Sequence, residues 1–97
     1  MNIQKLMRQA QEMQQQMQRD LAAAEFTASV GGGMVEVRMN GEKEVLGVHI
    51  DPEVLDPEDP GMVQDLVQAA VNEAGRKVNE YVGQRLGGMA AGIPGLT

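Results

Sequence analysis

Two glycine-marked turns, Gly31-Gly32-Gly33 and Asn40-Gly41, cut residues 25–50 into three short runs with apolar residues at every second position. Phe26, Ala28 and Val30 share one side of the first run, and Val35, Val37 and Met39 share one side of the second. In the third, about Glu44 to Ile50, Leu46, Val48 and Ile50 do the same. A period of two is the mark of a half-buried strand. Asn-Gly between such runs predicts a type I′ hairpin turn, which needs positive φ at both central residues. Connections this short imply an antiparallel meander.

The flanking segments have the other period. Residues 3–24 place Ile3, Leu6, Met7, Ala10, Met13, Met17, Leu21 and Ala24 at steps of three and four, with no Pro or Gly. This predicts an amphipathic helix of about 33 Å, longer than so small a body needs. A second helix is expected from Asp59 as N-cap and Pro60 at its first position. Asp56-Pro57 offers the same pattern one turn earlier. The stripe of this helix runs from Val63 through Leu66, Val67, Ala70, Ala74 and Val78 to Tyr81. Gly75 within it points to a close contact, and Gly87-Gly88 is expected to end it near Leu86. The order is α-β-β-β-α, an α+β domain over residues 1–86. Residues 87–97 are expected to form a flexible Gly/Ala-rich tail.

The chain has 97 residues and no cysteine. A domain of this size buries only about 60–65% of its unfolded surface, and neither disulfides nor a Cys-based zinc site can help. Three strands cannot cover two long helices and both faces of their own sheet. Self-association is the remaining stabiliser. No apolar run reaches the roughly 18–20 residues of a membrane span, and the polar start is no signal peptide. The expected location is therefore the cytoplasm.

Net charge is −6, but it is segregated. Residues 1–19 carry three cations and one acid, as do residues 76–97, whereas residues 20–75 carry two cations and twelve acids. On the first helix Lys5, Arg8 and Arg19 gather opposite the apolar stripe, with Glu12, Gln9 and Gln16 among them. Cations on one helix face, interleaved with Gln, suit phosphate contact. The competing reading is a solvated face with Arg8 paired to Glu12. On the second helix Glu73 stands four residues before Lys77, and Arg76 four before Glu80. Arg85 has no acid three or four residues away, which makes it the freer cation.

Other chemistry finds little support. Ser29 and the only histidine, His49, fall on strands, with His49 on the polar face, and form no recognisable nucleophile–base pair. The acids of residues 51–59 do not follow a calcium-loop pattern, and Pro52, Pro57 and Pro60 stiffen them for capping. Gly31–Gly33 lacks the Lys-Ser/Thr and the following helix of a phosphate loop. With two aromatics, Phe26 and Tyr81, no base-stacking platform is available. No catalytic group, metal, cofactor or small-molecule substrate is expected.

GGGMVEVRMNG, HIDPEVLDPED and MVQDLVQAAVNEAGRKVNE, with the opening NIQKLMRQAQEMQQQMQ, resemble the YbaB/EbfC family of bacterial nucleoid-associated proteins over residues 2–82. The resemblance implies a homodimer with helices extending, tweezer-like, from a shared sheet core. It implies a non-enzymatic partner of double-stranded DNA that influences nucleoid organisation and gene expression, often without sequence preference. It places DNA contact on the first helix and the end of the last. Carried to this chain, those positions are Lys5, Arg8, Arg19, Arg76, Lys77 and Arg85. The alternative is a protein-interaction module working through the Met-rich first helix, since methionine makes adaptable apolar surfaces.

Overall fold

A computed structural model describes residues 2–91, with side chains through Gly87. Helix α1 (Ile3–Ala23) leads into strands β1 (Glu25–Val30), β2 (Val35–Asn40) and β3 (Val45–Ile50). A 3-10 turn (Pro52–Val54) and helix α2 (Pro60–Ala91) follow. The sheet is antiparallel in the order β1-β2-β3, the meander expected from the two turns. Asn2 starts α1, its side-chain oxygen accepting from the Lys5 amide at 3.2 Å.

α2 lies across one sheet face. Ala28, Val35, Val37 and Met39 meet Ala70, Ala74 and Val78 in the buried core, and Phe26, Val30, Leu66, Val67 and Val82 pack around it. The Phe26 and Tyr81 rings meet edge-on at 5.3 Å, fixing α2 against the start of β1. The opposite face carries Thr27, Ser29, Glu36, Arg38 and His49, all exposed. His49 is thus on the polar face, as its alternation with Val48 and Ile50 implied.

Four local expectations need correction. The β2–β3 turn is not type I′. The Lys43 amide donates to the Asn40 carbonyl at 3.0 Å, and Lys43 holds the only positive φ in the turn, 64°. This is a three-residue loop closed by a left-handed residue. The Asn40 side chain supports it, accepting from the Glu42 and Glu44 amides at 2.9 and 3.0 Å. Lys43→Gly removes a left-handed side-chain penalty of about 1 kcal/mol, part of which glycine's greater unfolded freedom returns. The Tm by circular dichroism should rise by about 2–5 °C.

Second, β3 does not keep strict alternation. Met39 pairs with Val45 but Arg38 with Gly47, so Leu46 is the extra residue of a bulge. Third, Gly87-Gly88 does not end α2, which continues to Ala91. Glycine costs a helix about 1 kcal/mol relative to alanine, and Met89, Ala90 and Ala91 restore propensity before the next proline at Pro94. The rest of the expected tail, residues 92–97, lies outside the described residues. Fourth, a Cβ on Gly75 would meet nothing within 4 Å, so the close contact expected there is not made among the described residues.

α1 stands apart from this body. None of its residues is buried, and the molecule reaches 68 Å in its longest dimension. Its far end is tied down at two points. The amide of buried Gly41 donates to the Leu21 carbonyl at 2.7 Å. The Arg85 guanidinium reaches Asp20 at 2.7 Å.

Candidate nucleic-acid interface

At 3.6 residues per turn, Lys5, Arg8, Glu12 and Arg19 fall within about 60° of one another around α1. All four are exposed. Among the described residues neither Lys5 nor Arg8 makes an ion pair, so the Arg8–Glu12 pair of the competing reading is not formed. Arg19 donates to the Gln16 side chain at 3.0 Å and remains exposed. The cationic face of α1 is thus largely unspent. The acidic segment that begins at Asp51 leaves β3 at the sheet end of Val30, Val35 and Ile50, opposite the end where α1 joins β1 at Glu25.

The α2 cations are placed differently. Arg76 donates to Glu73, not Glu80, in an i, i+3 pair at 2.5 Å. The Arg76 guanidinium holds the Glu73 carboxyl below its ordinary value. Lys77 does not pair with Glu73. Its ammonium donates to the Thr27 carbonyl of β1 at 2.6 Å, occupying a main-chain acceptor on an edge strand and blunting that edge.

Arg85 reverses the expectation that it is the freer cation. It donates to Asp20 at 2.7 Å and to the Tyr81 hydroxyl at 2.9 Å, with its charge 6.0 Å from the Tyr81 ring centre. Asp20 lies 65 positions away in sequence, so spacing along one helix could not reveal it. The structure therefore gathers Arg19, Asp20 and Arg85 at the α1–α2 junction, leaves Lys5 and Arg8 out on the arm, and ties Arg76 and Lys77 to the body.

The junction has a defined pH behaviour. The hydrogen bond from Arg85 comes first, then that from Gln16, in holding the Asp20 carboxyl below its ordinary 3.8. The hydrogen bond to Asp20, and then that to the Tyr81 hydroxyl, raise the Arg85 value in turn. A carboxylate with a lowered folded value contributes stability above its unfolded value and loses it as pH falls through the folded one. The junction should therefore be unchanged from pH 5 to 9 and open only in acid. A carbon-13 titration of the Asp20 carboxyl should give a midpoint below 3.8, and Arg85→Gln should move it upward.

The acids of the loop after β3 act as caps. The Asp51 side chain accepts from the Glu53 amide and that of Asp56 from the Glu58 amide, both at 2.9 Å. Among the described residues no group of three or more His, Asp or Glu is placed to hold a metal ion. Ser29 pairs with Glu36 and Glu36 with His49 across the sheet. Two strand spacings of about 4.8 Å keep Ser29 and His49 roughly 9–10 Å apart, beyond a nucleophile–base hydrogen bond. No helix among the described residues is long and apolar enough to cross a membrane.

A small α+β domain with a projecting, cation-faced first helix is therefore the class of molecule in view. The sequence pattern of the YbaB/EbfC DNA-binding family matches residues 1–93, and the chain belongs to that family. A nucleoid-associated protein of Clostridium novyi is 46% identical over 99% of this chain and 89% of its own length. Another, from Chloroflexus aurantiacus, is 43% identical over 99% of both. The crystal structure of an uncharacterized Helicobacter pylori protein superposes with a TM-score of 0.78 at 26% identity, covering 90% of this chain and 91% of that one.

Proposed function

We propose that this chain acts as a homodimer that binds double-stranded DNA in the bacterial nucleoid, through phosphate contacts and with little or no sequence preference. The observation that carries this reading is the exposed Lys5, Arg8 and Arg19 face of α1, in a chain of a DNA-binding family. Lys5 and Arg8 are the primary contacts, because nothing within the described chain neutralises them. Arg19 and Arg85 flank the base of the arm, where Asp20 offsets part of their charge. Arg76 and Lys77 are secondary, since each must give up or share its present partner. The protein's role is architectural, influencing nucleoid organisation and gene expression without catalysis.

Uncovered apolar surface supports the homodimer. Val45, Leu46 and Val48 of β3 are 48%, 41% and 49% exposed. A groove beside them is lined by Ile50, Leu55, Val63 and Val67. Phosphate contacts position a protein but carry no base information. Unlabelled duplexes of equal length and unrelated sequence should therefore compete with affinities within about threefold of one another, well under the roughly 10³-fold of a specific reader. A single sequence competing a thousandfold better than the rest would overturn the low-specificity reading.

A second reading, a protein-interaction module, draws on the exposed Met7 and Met13 of α1, 60% and 61% accessible. It predicts complexes that hardly respond to salt, whereas phosphate contacts weaken steeply.

A further inference from the structure

At the base of the arm a chain of five side chains joins α1 to α2. Arg85 donates to one Asp20 oxygen at 2.7 Å, and the Gln16 amide donates to the other at 2.8 Å. Arg19 donates to Gln16 at 3.0 Å, and Arg85 also donates to the Tyr81 hydroxyl at 2.9 Å. Two guanidiniums thus gather around a single carboxylate. The pair at its centre stays open to water, Arg85 being 33% and Asp20 35% exposed. A guanidinium fork takes a phosphate in the same way as a carboxylate. We propose that this junction is a site for a backbone phosphate of DNA, filled in the free protein by Asp20, which the phosphate displaces. The inference rests on the DNA reading above and adds to it an internal competitor.

Position favours a DNA phosphate as the incoming anion. The cation face from Lys5 to Arg19 is about 21 Å long, and Asp20 follows its last cation directly. Asp20 borders that face, about 40° round the helix from Gln16 and about 60° from Lys5. A strand laid along the face presents a phosphate about every 3.4 Å of duplex axis, so it runs onto the junction. The strength of the pair sets the competition. An ion pair this open to water holds its partners by about fivefold or less. A phosphate already fixed nearby by Lys5, Arg8 and Arg19 competes with Asp20 at high local concentration. The exchange leaves Arg85 aimed at the junction, because the Tyr81 hydroxyl and ring still hold it. The arm stays attached as well, because the Gly41–Leu21 hydrogen bond is main chain on both sides. Asp20 therefore lowers DNA affinity without occupying the Lys5 and Arg8 face.

The unsubstituted chain supplies the most direct test. At neutral pH, saturation with a short duplex should move the carbon-13 resonance of the Asp20 carboxyl to the position it has in DNA-free Arg85→Gln. Inorganic phosphate at matched ionic strength should leave it in place. Anisotropy titrations of the full chain give the energetic side. Asp20→Asn keeps the side-chain shape and removes the competitor, so it should bind the duplex at least about threefold more tightly at low salt. Arg85→Gln should flatten the slope of log K against log salt by about 2, one phosphate contact from each copy. An Asp20 resonance that stays in place in the saturated complex overturns the exchange and keeps the DNA reading. So does an Asp20→Asn variant that binds no tighter, or an Arg85→Gln variant with an unchanged slope. An equal move with inorganic phosphate overturns the assignment to the DNA backbone. Absence of binding by both the unsubstituted chain and Asp20→Asn at low salt rejects the DNA reading together with the exchange.

Discussion

Reversing Lys5 and Arg8 together, Lys5→Glu with Arg8→Glu, should weaken binding to a short duplex at least about 100-fold at low salt and leave the fold intact. A phosphate contact contributes uniformly across sequences, and losing one lowers the salt slope by about 1. A dimer loses four such contacts, so the slope of log K against log salt should flatten by about 3 to 4. The new acids add repulsion on the same face. Stability should move the other way. Both residues are exposed, so the change stays within about 0.5 kcal/mol, and a glutamate near the start of α1 favours the helix dipole. Weaker binding with an equal or higher Tm is the signature of a contact residue. Unchanged affinity would remove the α1 face from the account.

Gly41→Ala should produce the largest loss of stability among single small substitutions at the turns. A Cβ there would lie 2.6 Å from the Leu21 carbonyl oxygen and 2.9 Å from the Leu21 Cα. These are main-chain atoms at the end of α1, not the tip of a flexible side chain. Either the helix end shifts or the 2.7 Å hydrogen bond from Gly41 to Leu21 breaks. Overpacking of this kind costs about 1–3 kcal/mol, which at constant protein concentration lowers the Tm by about 5–20 °C. The arm loses one of its two ties, and Arg85 and Asp20 must move with it. Tyr81 bonds Arg85 and is the only tyrosine, so its fluorescence should change on substitution. A wild-type Tm with unchanged Tyr81 emission would show that the Gly41–Leu21 approach is not tight.

These two residues mark what periodicity could and could not reveal. The alternation around Val35, Val37 and Met39, and the three-four spacing of α1 and α2, led directly to the element order and the sheet. They do so because burial on one face acts locally and repeats along the chain. Gly41 was legible as a turn residue but for a different cause: it is required by the approach of Leu21, twenty residues earlier, not by its own φ. The β3 bulge at Leu46 escaped because a one-residue insertion leaves composition unchanged.

The candidate site divides in the same way. The shared face of Lys5, Arg8 and Arg19 follows from helical geometry, and their exposure from the stripe opposite. The partners of Arg85 and Lys77 do not. One is a carboxylate on another helix and the other a main-chain carbonyl, which no residue type announces. The six candidate cations look equivalent in sequence but are unequal in the fold, and of those six Lys5 and Arg8 have no side-chain partner among the described residues.

The central claim is that helix-borne cations neutralise DNA phosphates while the acidic body stays clear. Fluorescence anisotropy of the full chain with a short labelled duplex, at about 50 and 200 mM salt, tests it most directly. About four to seven neutralised phosphates give a slope near −4 to −6 and an affinity loss of at least a hundredfold over that range. Saturable binding that barely changes with salt, or none at the lower salt, would contradict the claim.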